Sequence, residues 1–225
     1  MPAYHSKFNS FEGEEFCSMA ILPITTSVRG PAPPSPADEE DVIDETIKYF
    51  RANVFFRNFE VKGGGDRTLI YLTLYLGACL KELERVSSKT EAAKSLHQLA
   101  IKPFAIPGDS AWCLGGMCSP PKSMAEGPSH PAPQPPTLPP DPLLSKASHT
   151  RTTVGRHSII HPDEFATPRP VVVPSGEGLK AYLKQCREEV GLRVVELLYY
   201  ADGSKNKWWQ SFSKRKFMGK ELKDR

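Results

Sequence analysis

The residues best suited to chemistry come in small groups, and each can be weighed by spacing. His157 and His161 stand four apart, the separation that puts two imidazoles on one helical face for a metal, but no HExxH pattern surrounds them and Pro162 follows. Chance spacing in an irregular stretch accounts for the pair. Cys113, Cys118 and His130 form a weaker metal candidate. Gly63-Gly64-Gly65-Asp66 has the glycine content of a phosphate cradle, but no Lys-Ser or Lys-Thr follows, so a plain turn over 58–65 is the reading. No GxSxG elbow occurs, and no Ser, His and carboxylate set assembles. Asp38-Glu39-Glu40-Asp41 could serve acid–base work, but no second carboxylate cluster or histidine accompanies it, and capping a helix explains it better. No enzyme reading has positive support. No catalytic, cofactor or metal residue is assigned.

Two binding patterns remain. Pro136-Thr137-Leu138-Pro139 is a PxxP that an SH3-type groove could take, a match common in proline-rich linkers. The segment 205–225 carries eight Lys or Arg against Glu221 and Asp224, a net of +6, with Trp208, Trp209, Phe212 and Phe217 interleaved. Cations among rings suit an acidic protein surface or a nucleic acid, against the plainer reading of a solvated helix face. No nucleic-acid signature is present, and the whole chain is only +3.

The 225 residues allow one domain with extra segments, or two small ones. Proline is the outlier, with 22 residues against a usual level of about 5%. Five cysteines, an odd number with no CxxC, read as reduced thiols of a cytosolic or nuclear protein. The start lacks a basic region followed by an apolar run, and no stretch reaches the roughly 20 apolar residues of a membrane helix. The expectation is a soluble intracellular protein.

The elements that must position these residues follow from periodicity. Residues 1–37 read as an extended arm with one short hairpin. Ile43, Ile47, Phe50 and Val54 mark the first helix. Residues 67–83 are apolar all round, so this helix must be enclosed by others. Tyr71 and Tyr75 share one side of it as packing residues. Ser88-Lys89-Thr90-Glu91 fits a capping box opening a third helix that runs to about 99, and 104–109 forms an ordered turn. Ten of the prolines fall within 119–142, and 122–175 reads as a disordered insert. Helical pattern returns at 177, Gly191 could cap or kink its end, 192–200 could continue as helix, and a last helix spans 207 to about 220. The fold class expected is all-α: about five helices, one central helix enclosed by the rest, an extended N-terminal arm and a disordered Pro-rich insert.

Several stretches carry a resemblance. They include Met19-Ala20-Ile21-Leu22-Pro23-Ile24, the block Phe50-Arg51-Ala52-Asn53-Val54-Phe55-Phe56-Arg57-Asn58-Phe59-Glu60, Asp66-Arg67-Thr68-Leu69-Ile70-Tyr71, Tyr182-Leu183-Lys184-Gln185-Cys186-Arg187-Glu188-Glu189, and Lys207-Trp208-Trp209 with Arg215-Lys216-Phe217-Met218. With these the chain closely resembles subunit 3 of the actin-related protein 2/3 complex, the 21-kDa subunit family, over 1–121 and 176–225. These two pieces would form one domain, with 122–175 outside the family pattern as a lineage-specific linker or a translated intron. After Pro107-Gly108 the family usually has Gly-Phe-Pro-Leu-Asn. Here Ala111-Trp112-Cys113-Leu114-Gly115 stands instead, with Trp112 for Phe, which leaves the packing of that loop open.

The resemblance implies a non-catalytic structural subunit that supports nucleation of branched actin filaments and docking at the branch junction. It implies partners among the other subunits, chiefly actin-related protein 3, and the actin filament, with no cofactor, nucleic acid or membrane insertion. It implies a place in the cytoplasm and cytoskeleton, at actin patches or cell-edge networks. Lys214, Arg215 and Lys216 are the partner-contact candidates. The rival reading is an adaptor that recruits SH3-type domains through the insert.

Overall fold

The computed structural model describes residues 3–36, 38–121 and 175–222. The proline-rich insert, its PxxP, His130, His157 and His161 lie outside the described residues. Within them run five helices: α1 (Val42–Asn53), α2 (Gly64–Glu82), α3 (Lys89–Ile101), α4 (Ser175–Leu198) and the single turn α5 (Lys207–Gln210). The only sheet among the described residues is a hairpin of two-residue strands, β1 (Glu15–Phe16) and β2 (Met19–Ala20), in antiparallel register Glu15 to Ala20 and Phe16 to Met19.

α2 is the enclosed helix that its all-round apolar sequence requires. Fourteen of its nineteen residues are buried, and α1, α3, α4, β2 and an N-terminal 3-10 turn at Lys7–Ser10 all pack on it. Its threonine hydroxyls are satisfied: Thr73 donates to the Leu69 carbonyl (2.7 Å) and Thr68 to that of Ala20 (2.9 Å). The helix opens earlier than its apolar run suggests. Gly63 is the N-cap and the glycines form its first turn, not a loop. The reason is close approach: a Cβ on Gly65 would lie 2.8 Å from the Phe8 carbonyl carbon and 2.9 Å from the Asn9 nitrogen. Asp66 then binds the N-terminal segment, accepting from the backbone of Ser6 (2.8 Å) and Lys62 (3.0 Å) and from Asn9 Nδ2 (2.9 Å), with His5 Nδ1 2.8 Å away.

The N-terminal segment is extended, as expected, but it is core rather than a free arm. Met19, Leu22 and Ile24 are as buried as the helices' own core residues. α4 holds the segment by side chains: Tyr182 Oη accepts from Leu22 N (3.0 Å), Gln185 Oε1 accepts from Ala32 N (2.9 Å) and its Nε2 donates to the Val28 carbonyl (2.8 Å). Cys17 and Ser18, the two turn residues of the hairpin, both have positive φ, the geometry of a turn that usually takes Asn-Gly. Arg67 clamps it, donating to the Ser18 carbonyl (3.2 Å) and the Met117 carbonyl (2.6 Å), while Ser18 and Ser119 hydroxyls meet at 2.8 Å.

α1 is capped by Asp41 in a reciprocal capping box with Asp44. Ser88 caps α3 by accepting from Glu91 N (3.2 Å). α4 runs unbroken through Gly191 to Leu198, so the glycine neither ends nor kinks it and the helix continues past 192; a Cβ there would lie at ordinary contact distance, 3.4 Å, from that of Leu96. The variant loop packs well. Trp112 stacks on Tyr71 with centroids 5.7 Å apart and planes at 16°. Beside it the fully buried Arg187 guanidinium sits between the rings of Tyr75 (4.5 Å) and Phe104 (4.4 Å) and donates to the Leu99 carbonyl (2.8 Å). Pro121 packs on Gly176, where a Cβ would meet its Cγ at 3.1 Å, so residues 121 and 176 lie side by side.

Candidate protein-interaction surface

The basic C-terminal segment does not form the continuous helix that its sequence suggests. α5 is one turn, capped by Asn206, whose Oδ1 accepts from Trp208 N (3.2 Å) and Trp209 N (3.5 Å). Turns follow, then a 3-10 turn at Phe217–Gly219 with Met218 at φ 54°. Tertiary contacts break the helix. Trp209 stacks on Phe50 (6.1 Å) and Phe212 meets the same ring edge-on (6.2 Å), while Phe217 reaches Phe59 (5.8 Å). One helical face cannot serve both anchors. Lys205 donates to the Leu83 carbonyl (2.6 Å), Gln210 to that of Leu80 (3.2 Å), Lys220 to that of Cys113 (3.1 Å) and Met218 N to that of Phe56 (2.9 Å). Burial pushes the Lys205 ammonium below its ordinary value.

The three candidate cations are all exposed but differ in their surroundings. Arg215 lies over the Phe55 ring, 5.2 Å from its centroid. Lys216 pairs with Glu221 at 3.1 Å, and Lys81 stands 3.5 Å from the same carboxylate. The hydrogen bond from Lys216 holds Glu221 below the usual carboxylate range. Lys214 has no ion pair among the described residues and shares an open hollow with Lys207 and Glu84. Lys214 and Arg215 are the cations of the trio that lack a carboxylate partner among the described residues.

A larger surface surrounds them. Arg51 of α1 lies 4.8 Å from the Trp208 ring, Trp208 meets Phe212 edge-on at 5.3 Å, and Phe212 meets Phe55 at 6.1 Å. Tyr4 stacks on Tyr49 at 5.0 Å and 19°. Rings from the N-terminal segment, α1 and α5 therefore share one face. Residues 48, 51, 52 and 55 recur at helical spacing opposite the buried stripe of α1, a signal that sequence could have offered.

Of the metal candidates only Cys113 and Cys118 fall among the described residues. Cys113 is half-buried and Cys118 buried, its thiol pushed up to about 11 by burial. Among the described residues no three His, Cys, Asp or Glu could hold a metal ion. No helix among them is long and apolar enough to cross a membrane.

An enclosed central helix, an extended segment strapped across it and an exposed face of rings and cations define a small all-α protein without a metal cluster among the described residues. A family model described as ARP2/3 complex ARPC3 (21 kDa) subunit matches residues 1–129 and 165–222. The chain is 37% identical to actin-related protein 2/3 complex subunit 3 of Dictyostelium discoideum, covering 97% of this chain and 99% of that relative. It is 33% identical to that of Arabidopsis thaliana, covering 96% of each, and 34% identical to that of Schizosaccharomyces pombe, covering 99% and 100%. The chain belongs to this family, that of a structural subunit in the assembly that nucleates branched actin.

Proposed function

We propose that this chain packs chiefly against actin-related protein 3 within the complex, that it lies at the branch junction with the actin filament, and that Lys214, Arg215 and Lys216 contribute contact to an acidic actin-like surface. It works without catalysis or cofactor, in the cytoplasmic actin cytoskeleton at actin patches or cell-edge networks. Residues 1–121 and 176–225 act as one domain, with 122–175 as an insert. One observation carries the surface assignment. Lys214 and Arg215 project from a segment anchored to α2 and α1 by Gln210, Trp209 and Phe212, so exposed charge is held on a rigid support. Pre-ordered cations lose less entropy on contact than flexible ones.

The test is replacement of all three residues by Ala, and separately by Glu, in the reconstituted complex. Assembly or branching should weaken, and its salt dependence should flatten as charges are removed. An unchanged branching rate with an unchanged salt dependence would remove the assignment.

A further inference from the structure

We infer that the face formed by Tyr4, Tyr49, Arg51, Phe55, Trp208 and Arg215 is a second, ring-centred docking site, and that its occupant is a folded protein surface presenting carboxylates around an apolar ridge. The inference rests on the reading that the chain works inside an assembly. It adds an energetic centre away from Lys214 and Lys216.

Exposure is the first observation. Tyr4, Phe55 and Trp208 are 46%, 57% and 48% exposed, and they are three of the seven large apolar side chains so exposed among the described residues. Scattered exposed apolar residues need no explanation, but rings gathered on one face do. These three join through Tyr49 and Phe212 into one surface rather than standing apart.

Pre-organisation is the second. Arg51 over Trp208 and Arg215 over Phe55 hold two guanidinium groups against ring faces, with their hydrogen-bonding edges free to meet carboxylates. Neither arginine has an ion pair among the described residues. Tyr, Trp and Arg are the residue types in which binding energy concentrates at interfaces, because each buries a large rigid area around a polar group.

Charge selects the partner. Lys48, Arg51 and Arg215 stand beside the rings, against Glu40, which Lys48 binds at 2.9 Å. Three cations against one carboxylate leave a formal balance of two positive. An acidic partner is favoured and a basic one repelled. A folded protein fits better than a nucleic acid or a membrane. One face of Trp208 and one of Phe55 already lie under a guanidinium and Trp208 meets Phe212 edge-on, which leaves less ring area for bases to stack on than a nucleic-acid platform offers. Tyr49 stands on α1, but the apolar stripe of that helix is buried in the core and is not free to lie in a bilayer.

The experiment is hydroxyl-radical footprinting of the full chain in three states: free, assembled in the complex, and in the complex on actin filaments. Oxidation of Trp208, Phe55 and Tyr4 should fall several-fold in the assembled or the filament-bound state. Arg51→Glu and Trp208→Ala should each weaken the interaction that confers this protection by about 10- to 30-fold. Trp208→Ala counts only if its thermal midpoint matches the parent; otherwise Arg51→Glu carries the test. Equal oxidation in all three states overturns the site. So does parental affinity of both variants, or protection conferred by phosphatidylserine vesicles or an oligonucleotide in place of protein. Loss of binding in Lys214→Ala/Lys216→Ala with Arg51→Glu unaffected would leave the functional proposal standing and remove this one.

Discussion

The Arg193 guanidinium grips Asp41 with both amino groups, Nη1 to Oδ1 at 2.9 Å and Nη2 to Oδ2 at 2.7 Å. Asp41 is fully buried and already caps α1 through Ile43 N and Asp44 N, and accepts from Thr25 N at 2.8 Å. One carboxylate therefore joins the N-terminal segment, α1 and α4. Arg193 extends the junction to Asp44, Glu189 and the Thr25 carbonyl. Removing the cation strands a buried anion. Arg193→Met should cost about 3 kcal/mol in urea unfolding. Arg193→Lys should recover little, because an ammonium cannot reproduce the fork.

Acid should loosen the same region through two aspartates and stabilise it through one glutamate. Burial alone would raise Asp41, but Arg193 and the N–H groups of Asp44 and Thr25 outweigh it and hold the carboxyl below its ordinary value. Asp66 is likewise lowered against burial, by N–H groups of Lys62 and Ser6, by Asn9 and by His5. A lowered folded value gives stability that is present above the unfolded value, 3.8, and lost as pH falls through the folded one. Glu45 is raised, chiefly by burial, so its term runs the other way: present below its unfolded value and lost as pH rises through the folded one. Two terms against one should make the protein weaken below about pH 4. Asp66→Asn should be less stable at pH 7 by about 2 kcal/mol and show a shallower loss between pH 5 and pH 3. An identical pH slope in urea melts of the two proteins would contradict this account.

The hairpin turn offers a gain. Cys17 and Ser18 occupy positive φ, where an L side chain is strained. Cys17→Asn with Ser18→Gly should raise stability by about 1 kcal/mol, provided the backbone bond from Arg67 to residue 18 persists. Thermal unfolding reads the outcome, and a lower midpoint would show that the Ser18 hydroxyl contact to Ser119 matters more than the strain.

Gly65→Ala tests the N-terminal strap. The new methyl has no room against the Phe8 and Asn9 backbone, so the strap must shift. A loss of about 1–3 kcal/mol is expected, together with faster amide exchange at Ser6 and Lys7, whose N–H groups bind Asp66 and Glu45. Unchanged exchange at those amides would mean that the strap does not depend on this approach.

Deleting 122–175 and joining 121 to 176 through a short glycine linker separates the structural-subunit role from an adaptor role. The Pro121–Gly176 contact predicts an unchanged thermal midpoint and normal incorporation into the complex. Loss of incorporation would show that the insert contributes to assembly. Loss of SH3-domain capture alone would show an added adaptor role.

The legible part of the fold was the part written in periodicity and caps. The Ile43, Phe50 and Val54 stripe, the all-apolar run from Leu69 to Leu80 and the capping residues Asp41 and Ser88 each lie where local physics places them. What escaped was set by contacts distant in sequence. The helix after Trp208 stops because Phe50 and Phe59 each claim a different ring. The hairpin carries no Gly signal because Arg67, some fifty positions on, holds its turn. Arg187 reads as a polar-face residue until Tyr75 and Phe104 close over it. The C-terminal cations and the rings among them were legible as a pattern, but the gathering of Tyr4 and Phe55 with Trp208 was not, since those rings meet only after folding.

The contact of Pro121 with Gly176 has a practical reach as well. Two positions 55 residues apart in sequence yet held side by side offer a splice port. A fluorescent reporter or an affinity handle mounted there would be tethered at both ends, and its orientation would follow that of the helices. Both chain ends would stay untouched, so the motion of this subunit during filament branching could be followed by polarised light without altering the N-terminal strap or the cationic tail.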